Sequence, residues 1–425
     1  MNDRYQELQQ YHSIIAVYFA AFVAVSVCLL LCMALPAGAQ DEGAAFTDRG
    51  RIRNVGAVQM LVDLGLISGY DDGTFRPGNF ITREEVAKLV AILCTENPQA
   101  PADVYFYDAQ NSWALGYIGY CAGQGIIAGD GMGSFRPKDN VTAQELAKML
   151  LVILGQDPAS YSGAGWDERV NADAQSFGIY YGLTAQVNQP VTRDNACLLI
   201  YNAMRCPAIA DLDAEGPERY VLDDLMNPRS YLEVRYDLTR YTAVLTGNEY
   251  ADLTSNDGRL SAGVTKLAGH KEFAVSSDLS LLGREVDIYV KNGRVFGIPC
   301  YVTSELYYTF ENAQALSKLL SGGAFSMADD AQYYYNYNEA GSEVLTRSGT
   351  RLTVIDHNND TQFDTVLAVS CQQAEVVSVL PLRVRVGQDV LDAEKYCMTD
   401  VFSEGEAVWY MELAGQGFVQ PMHEN

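Results

Sequence analysis

Basic residues are scarce in this chain. Its 425 residues carry 29 lysines and arginines against 54 aspartates and glutamates, a net charge of −25 at pH 7. Such a surface repels phosphate, so nucleic acid is excluded as a partner. Histidine is rarer still. Beyond the amino-terminal segment only His270, His357 and His423 remain, and none is near a cysteine or a second histidine. Neither H-E-x-x-H nor G-x-S-x-G occurs, so neither motif-borne hydrolase class has support. Carboxylates are too abundant to single out a glycosidase pair. The nine cysteines include no C-x-x-C pair. Without Cys28 and Cys32 in the leader, seven are left, odd in number and scattered, unlike a disulfide framework. Cys94, Cys121 and Cys197 lie in apolar helical stretches and read as buried residues.

One long apolar run is present, at residues 13–35. It ends in PAGAQ, where Ala37-Gly38-Ala39 forms an A-x-A cleavage pattern. Residues 1–39 therefore read as a signal peptide, with an uncleaved membrane anchor as the alternative because the run is long enough to span a bilayer. The length of the remainder allows two to four domains.

The phrase GYDDGTFRP at residues 69–77 returns as GDGMGSFRP at residues 129–137. Sliding the chain by sixty also superimposes Phe46 and Asp48 on Phe106 and Asp108. Gly65 falls on Gly125, and Thr82 and Glu85 fall on Thr142 and Glu145. Self-similarity at this period marks a repeat architecture. A third, degenerate copy follows if three residues are deleted: Trp166 and Gly178 lie fifty-three residues after Trp113 and Gly125, and Thr192 fifty after Thr142. The copies occupy residues 46–97, 103–157 and 160–206. Each reads helix, loop, helix. Val55, Val58, Leu61 and Val62 form an apolar stripe, Gly65 ends that helix, and Phe75 is the apolar plug of the loop. Thr82 with Glu85 announces the second helix as a capping box. One such unit has too little core to fold alone, so the three are expected to share one. The glycines of GDGMGS do not make a dinucleotide fingerprint, because Phe-Arg-Pro follows where a helix should begin.

The pattern F-x-D … GLISGYDDGTFRPGNFITREEVAKL resembles the S-layer homology domain of bacterial cell-surface proteins. The resemblance implies a pseudo-three-fold bundle, a location outside the cell on the wall, and binding to secondary cell-wall polysaccharide that often bears pyruvate ketals. The family's Thr-Arg-Ala-Glu motif, whose Arg contacts the ligand, matches Thr82-Arg83-Glu84-Glu85 in the first copy. The second reads Thr142-Ala143-Gln144-Glu145, without the Arg. The third reads Thr192-Arg193-Asp194-Asn195, with the Arg but without the Glu. Chemically, a carboxylate on a sugar ring calls for a bidentate guanidinium, a helix N-terminus with free N–H groups and an aromatic face. Arg83, Arg193, Thr82 and Thr192 are the candidates for the first two, and Trp113 and Trp166 for the third, with core packing as the other reading of the tryptophans. Arg76 and Arg136 read as loop braces.

Past Pro207 the character changes. Residues 207–228 are acidic and turn-rich and read as a linker. Residues 229–302 and 303–425 read as β-rich units. YLEVRY, YTAVLT and EFAVS are expected strands. REVDIYVKNGRVFGI is a hairpin turning at Asn292-Gly293, and RLTVIDHNNDTQFDTVLAVS is another. A helix is expected over residues 312–320. The loop DHNNDTQFD places Asp356, Asn358, Asp360 and Asp364 as oxygen ligands for calcium, against the alternative of a polar hairpin turn.

The expected fold is therefore multidomain: an all-α pseudo-three-fold bundle of helix-loop-helix repeats, then a mainly-β region of small barrels or sandwiches. The expected function is a non-catalytic surface protein held on the wall by its repeats. The alternatives are an anchored enzyme acting on glycans and a calcium-dependent, self-assembling lattice component.

Overall fold

The structure, a computed structural model, describes residues 46–422 except 97, 99–105, 212, 213, 215 and 302–304. The expected signal peptide at residues 1–39 lies outside them. Among the described residues, no helix is long and apolar enough to cross a membrane.

Six helices fall two to each copy, α1 (Val55–Asp63) and α2 (Arg83–Cys94), α3 (Leu115–Gly123) and α4 (Ala143–Ile153), α5 (Trp166–Ser176) and α6 (Arg193–Met204), and they pack across copies, α2 on α3, α4 on α5 and α6 on α1. Local chemistry sets their ends. Gly65, Gly125 and Gly178, just past α1, α3 and α5, all have φ of +70°, the left-handed conformation that stops a helix. Thr82 and Thr142 make complete capping boxes with Glu85 and Glu145. Thr192 makes half of one, accepting from the Asn195 N–H, because Asn195 stands where the glutamate would be. The third pair thus keeps the helix-loop-helix geometry although its loop sequence has worn away.

The pairs are joined in a ring. Ile81 donates to the Val191 carbonyl, Val191 to Val141, and Val141 to Ile81. The start of each second helix is buttressed by the loop of the next copy. Arg83 and Glu84 N–H groups bond to Asp139 and Pro137, those of Ala143 and Gln144 to Gln189 and Val187, and those of Arg193 and Asp194 to Asn79 and Pro77. Helix-end donors that lack partners within their own helix are thereby satisfied around a pseudo-three-fold axis. One apolar core runs through all three pairs, with Leu61, Phe75, Ile118, Phe135, Val170 and Ile200 among its buried members.

YLEVRY is not a strand. Its alternation reads as period two, but Ser230 and Glu233 form a capping box and the segment is the short helix α7 (Tyr231–Tyr236), stopped by Asp237 at φ +55°. The Tyr231 hydroxyl and Arg235 Nε donate to the Leu93 carbonyl at the end of α2. The acidic stretch before it is tied by backbone bridges, Pro207 to Ser230, Ile209 to Tyr220 and Leu222 to Pro228.

Three sheets follow. The first comprises β1 (Thr239–Gly247), β2 (Thr265–Leu267), β3 (Glu272–Phe273), β4 (Glu285–Lys291) and β5 (Arg294–Tyr301) in the order β3-β2-β1-β4-β5, all antiparallel. Its β4–β5 hairpin turns at Asn292 and Gly293, both with positive φ. The second sheet contains β6 (Leu306–Phe310), β7 (Ser326–Tyr335), β8 (Asn338–Ala340), β9 (Thr350–Asp356) and β10 (Gln362–Ser370), ordered β6-β9-β10-β7-β8 with β7 parallel to β10. Helix α8 (Ala313–Ser321), capped by Asn312, buries Leu316 beside Val344 and Leu352. The third sheet holds β11 (Gln372–Val379), β12 (Leu382–Val386), β13 (Asp389–Asp392), β14 (Glu394–Lys395), β15 (Ala407–Leu413) and β16 (Gln416–Pro421), ordered β13-β12-β11-β15-β16-β14.

The first sheet is packed onto the helices. Tyr289 is buried in the helical core, and Phe296 and Ile298 lie against it. Asp63 at the end of α1 accepts from the Gly297 N–H and pairs with Arg294, while Arg205 pairs with Asp287. Gly297 has φ +69°, and a Cβ there would meet Met60 Cε at 2.8 Å. Gly297→Ala is therefore expected to lower stability by about 1–3 kcal/mol through overpacking and backbone strain, measured by urea unfolding.

Seven cysteines are free, and no disulfide occurs among the described residues. Burial pushes the Cys94, Cys206 and Cys371 thiols up to about 11, so they are inert at neutral pH.

Candidate functional site

The repeated F-x-D explains the repeated F-R-P. Asp48 accepts the backbone N–H groups of Phe75 and Arg76, both at 2.8 Å. Asp108 does the same for Phe135 and Arg136, and also accepts the Ser134 hydroxyl at 2.5 Å. Arg76 and Arg136 have φ of +56° and +59°, a region rarely adopted by non-glycine residues; the carboxylate holds the loop in it. Phe75 and Phe135 are fully buried, and each packs on the phenylalanine of its own F-x-D. Gly69 and Gly129 are needed because a Cβ would fall 2.5 and 2.6 Å from the rings of Phe46 and Phe106. At Asp108 burial alone raises the pKa, but the bonds from Phe135, Ser134 and Arg136 outweigh it and hold the carboxyl below its ordinary value. A depressed carboxylate stabilises the fold above its unfolded value and loses that contribution as pH falls through the folded one. Acid unfolding measured below about pH 4 should thus be shallower in Asp108→Asn, which is also less stable at neutral pH.

These loops place Arg83 at the rim of a cavity of 330 Å³ between the first two copies and the start of the third. Arg83 donates from Nε to the Phe135 carbonyl at 2.8 Å, from one terminal nitrogen to Ala128 at 3.0 Å, and from the other to Glu145 at 3.5 Å. Its guanidinium carbon lies 4.6 Å from the centre of the Phe135 ring. A guanidinium has five N–H donors, and three of those of Arg83 have partners among the described residues. Burial lowers the Arg83 pKa, with Glu145 acting in the opposite sense. Arg136, Glu145, Lys148, Tyr161 and Trp166 are among the other residues of the lining. Lys148 donates to the Tyr161 carbonyl at 2.7 Å and stands 5.6 Å over the Trp166 ring, and burial lowers its pKa. Two arginines, a lysine and an indole therefore converge with a single carboxylate, that of Glu145, in a chain that is otherwise strongly acidic. Lys148 escaped the sequence reading, yet the match of Lys88 to Lys148 sixty residues on was visible.

A second groove repeats this arrangement one copy earlier. Arg193 donates to the carbonyls of Phe75 and Ser68, both at 3.1 Å, the counterparts of Phe135 and Ala128. Lys88 stands 6.0 Å over Trp113. Trp113 is 55% exposed, and its indole N–H is held at 2.8 Å by the buried carboxylate of Glu84, which also accepts from Ser112 and Lys138. The third position has lost the chemistry: Ala143, Asn195, Leu198 and Arg53 stand where the first groove has Arg83, Glu145, Lys148 and Trp166.

Two expectations need correction. The helix N-termini offer no free N–H groups for an anion, since those of Arg83, Glu84, Arg193 and Asp194 are bonded to the neighbouring loop. The Thr82 hydroxyl donates to Glu85 and accepts its N–H, and Thr192 caps Asn195. Both threonines are helix caps, so the donor fork falls to arginine alone.

In the loop joining β9 and β10 one carboxylate points inward and the others are exposed or partly buried. Asp356 is fully buried and accepts the N–H groups of Asp360 and Thr361. Asp360 accepts from Gln362, Asn358 from Asp360, and Asp364 from His357. No cluster of three or more potential metal ligands occurs among the described residues. Nearby, His357 lies 3.3 Å from both Glu305 and Thr365. This hydroxyl–imidazole–carboxylate string resembles a nucleophile relay, but Glu305 is also held by Arg284 and the Glu285 N–H, and Thr365 is buried. It links the residues flanking β6 and β9 to Thr365 of β10.

The family model of the S-layer homology domain matches residues 45–87 and 105–147, the first two copies. Among curated proteins, the chain is 36% identical over 163 residues to an uncharacterized cell wall amidase of Bacillus anthracis, covering 36% of this chain and 30% of that protein. It is 24% identical over 318 residues to a cell surface protein of Thermoanaerobacter kivui, 71% of this chain and 39% of that one. It is 32% identical over 96 residues to the S-layer protein EA1 of Bacillus anthracis, 23% of this chain and 11% of that one. The chain thus spans well under half the length of these relatives.

Proposed function

We propose that the helical ring, with its third pair as a worn S-layer homology copy, anchors the chain at the cell surface by binding an acidic wall glycopolymer. The reading extends to a secondary cell-wall polysaccharide carrying pyruvate ketals. The observation that carries it is the 330 Å³ cavity, where Arg83, Arg136 and Lys148 meet Trp166 in a chain of net charge −25. Arg83 would grip the ketal carboxylate, and Trp166 would meet the sugar face. A local cationic pocket is needed because the whole chain repels a polyanion. Export follows from the amino-terminal apolar segment, and the three sheets are carried outward for contact or assembly. The role is non-catalytic.

The test is equilibrium binding of residues 40–425 to purified wall glycopolymer, with and without chemical removal of the ketal. Binding that depends on the ketal supports the reading; equal binding to both polymers refutes it.

A further inference from the structure

Resting on that wall-ligand reading, we propose that the chain holds one acidic sugar and not two, because Tyr70 closes the second arginine groove. The two grooves share their arginine, lysine and tryptophan. Among the loop positions at which they differ, the one against the guanidinium groups is Tyr70, which is Asp130 in the second copy.

The consequence is visible at the guanidinium. Arg83 packs on one ring, Phe135, at 4.6 Å. Arg193 packs on two, Phe75 and Tyr70, each at 4.9 Å. The added tyrosine gives the Arg193 guanidinium a second aromatic partner, while overall exposure is alike, 7% for Arg193 and 6% for Arg83. The same ring also holds the second arginine. Arg76 lies 4.1 Å from the centre of Tyr70, and its terminal nitrogen pairs with Asp72 at 2.8 Å. Its counterpart Arg136 makes a looser pair with Asp139 at 3.5 Å and lines the open cavity. Asp130, in the place of Tyr70, is engaged by its own loop, accepting the N–H groups of Met132 and Ser134. Two cations that face a ligand in one groove are thus stacked on a single phenol ring in the other. Cation–π contact and ion pairing both have to be given up before an anion can replace them.

Counting sites tests this. The probe is the methyl glycoside of a hexopyranose bearing a 4,6-pyruvate ketal, taken to saturation by equilibrium dialysis against residues 40–425. The wild type should bind one equivalent. Tyr70→Ser, which removes the ring, and Tyr70→Asp, which copies the open groove, should each bind two, and Tyr70→Ser with Arg83→Ala should return to one. Two equivalents in the wild type would overturn the role of Tyr70 while leaving the wall-ligand reading intact. One equivalent in both folded Tyr70 variants, judged by unchanged far-ultraviolet dichroism, would overturn it as well. No binding by the wild type or either variant would bring down the wall-ligand reading, and this inference with it.

Discussion

Arg83→Ala should weaken binding to wall glycopolymer by about 10- to 150-fold, roughly 1.5–3 kcal/mol, the worth of a hydrogen bond to a charged group. It should also destabilise the bundle, because the arginine is 6% exposed and its loss leaves the carbonyls of Phe135 and Ala128 without their donors. Each buried acceptor so orphaned costs on the order of 1–3 kcal/mol. Arg83→Lys separates the two effects. An ammonium keeps the charge but not the planar fork, so affinity should fall by more than charge alone explains, while stability recovers in part. Titration of both variants with polymer, beside their urea unfolding curves, measures the split. Unchanged affinity in folded Arg83→Ala would remove the guanidinium from the ligand's reach.

Phe135→Ala should have the largest effect on stability. The ring is fully buried in the shared core and packs on Phe106 and beneath Arg83. Deleting it leaves a cavity worth about 3–5 kcal/mol, read in thermal or urea unfolding. Because the same ring is the floor of the first groove, affinity per folded molecule should fall too. A loss under about 1 kcal/mol would mean that the loop is not seated in the core as described.

Much of the bundle was legible because each repeated residue answers a local demand. The glycine at 69 and 129 makes room for a phenylalanine ring, the proline at 77 and 137 ends the loop, and the Thr-x-x-Glu boxes start the second helices. Such demands act within a few residues and leave a mark in the sequence. What stayed hidden is long-range. The partners of Arg83 lie 45, 52 and 62 residues away in the next copy, so nothing near residue 83 shows that the helix N–H groups are already taken. Helix α7 was misread because six residues with apolar positions at alternate places fit a strand as well as one and a half helical turns; the capping box of Ser230 and Glu233 was the signal that should have decided it. In the β region the hairpins were readable from the Asn292-Gly293 turn and the polar stretch Asn358-Asn359-Asp360, whereas the parallel pairing of β7 with β10 joins strands separated by β8 and β9. The closing of the second groove could not be read at all, since Tyr70 looks like an ordinary loop aromatic until two guanidinium groups are seen against it.

The shared core also decides how the protein should be handled. Leu232, Leu238 and Tyr289 are buried in the helical cluster, so a fragment ending near residue 207 would expose part of it. Binding is therefore best measured on residues 40–425, by cosedimentation with purified sacculi that are intact, stripped of glycopolymer, or depleted of ketal carboxylates by mild acid. Retention on intact sacculi, with loss on both treated samples and on intact sacculi for Arg83→Ala, is the outcome predicted here. Equal retention on all three preparations, or none on any, would contradict it.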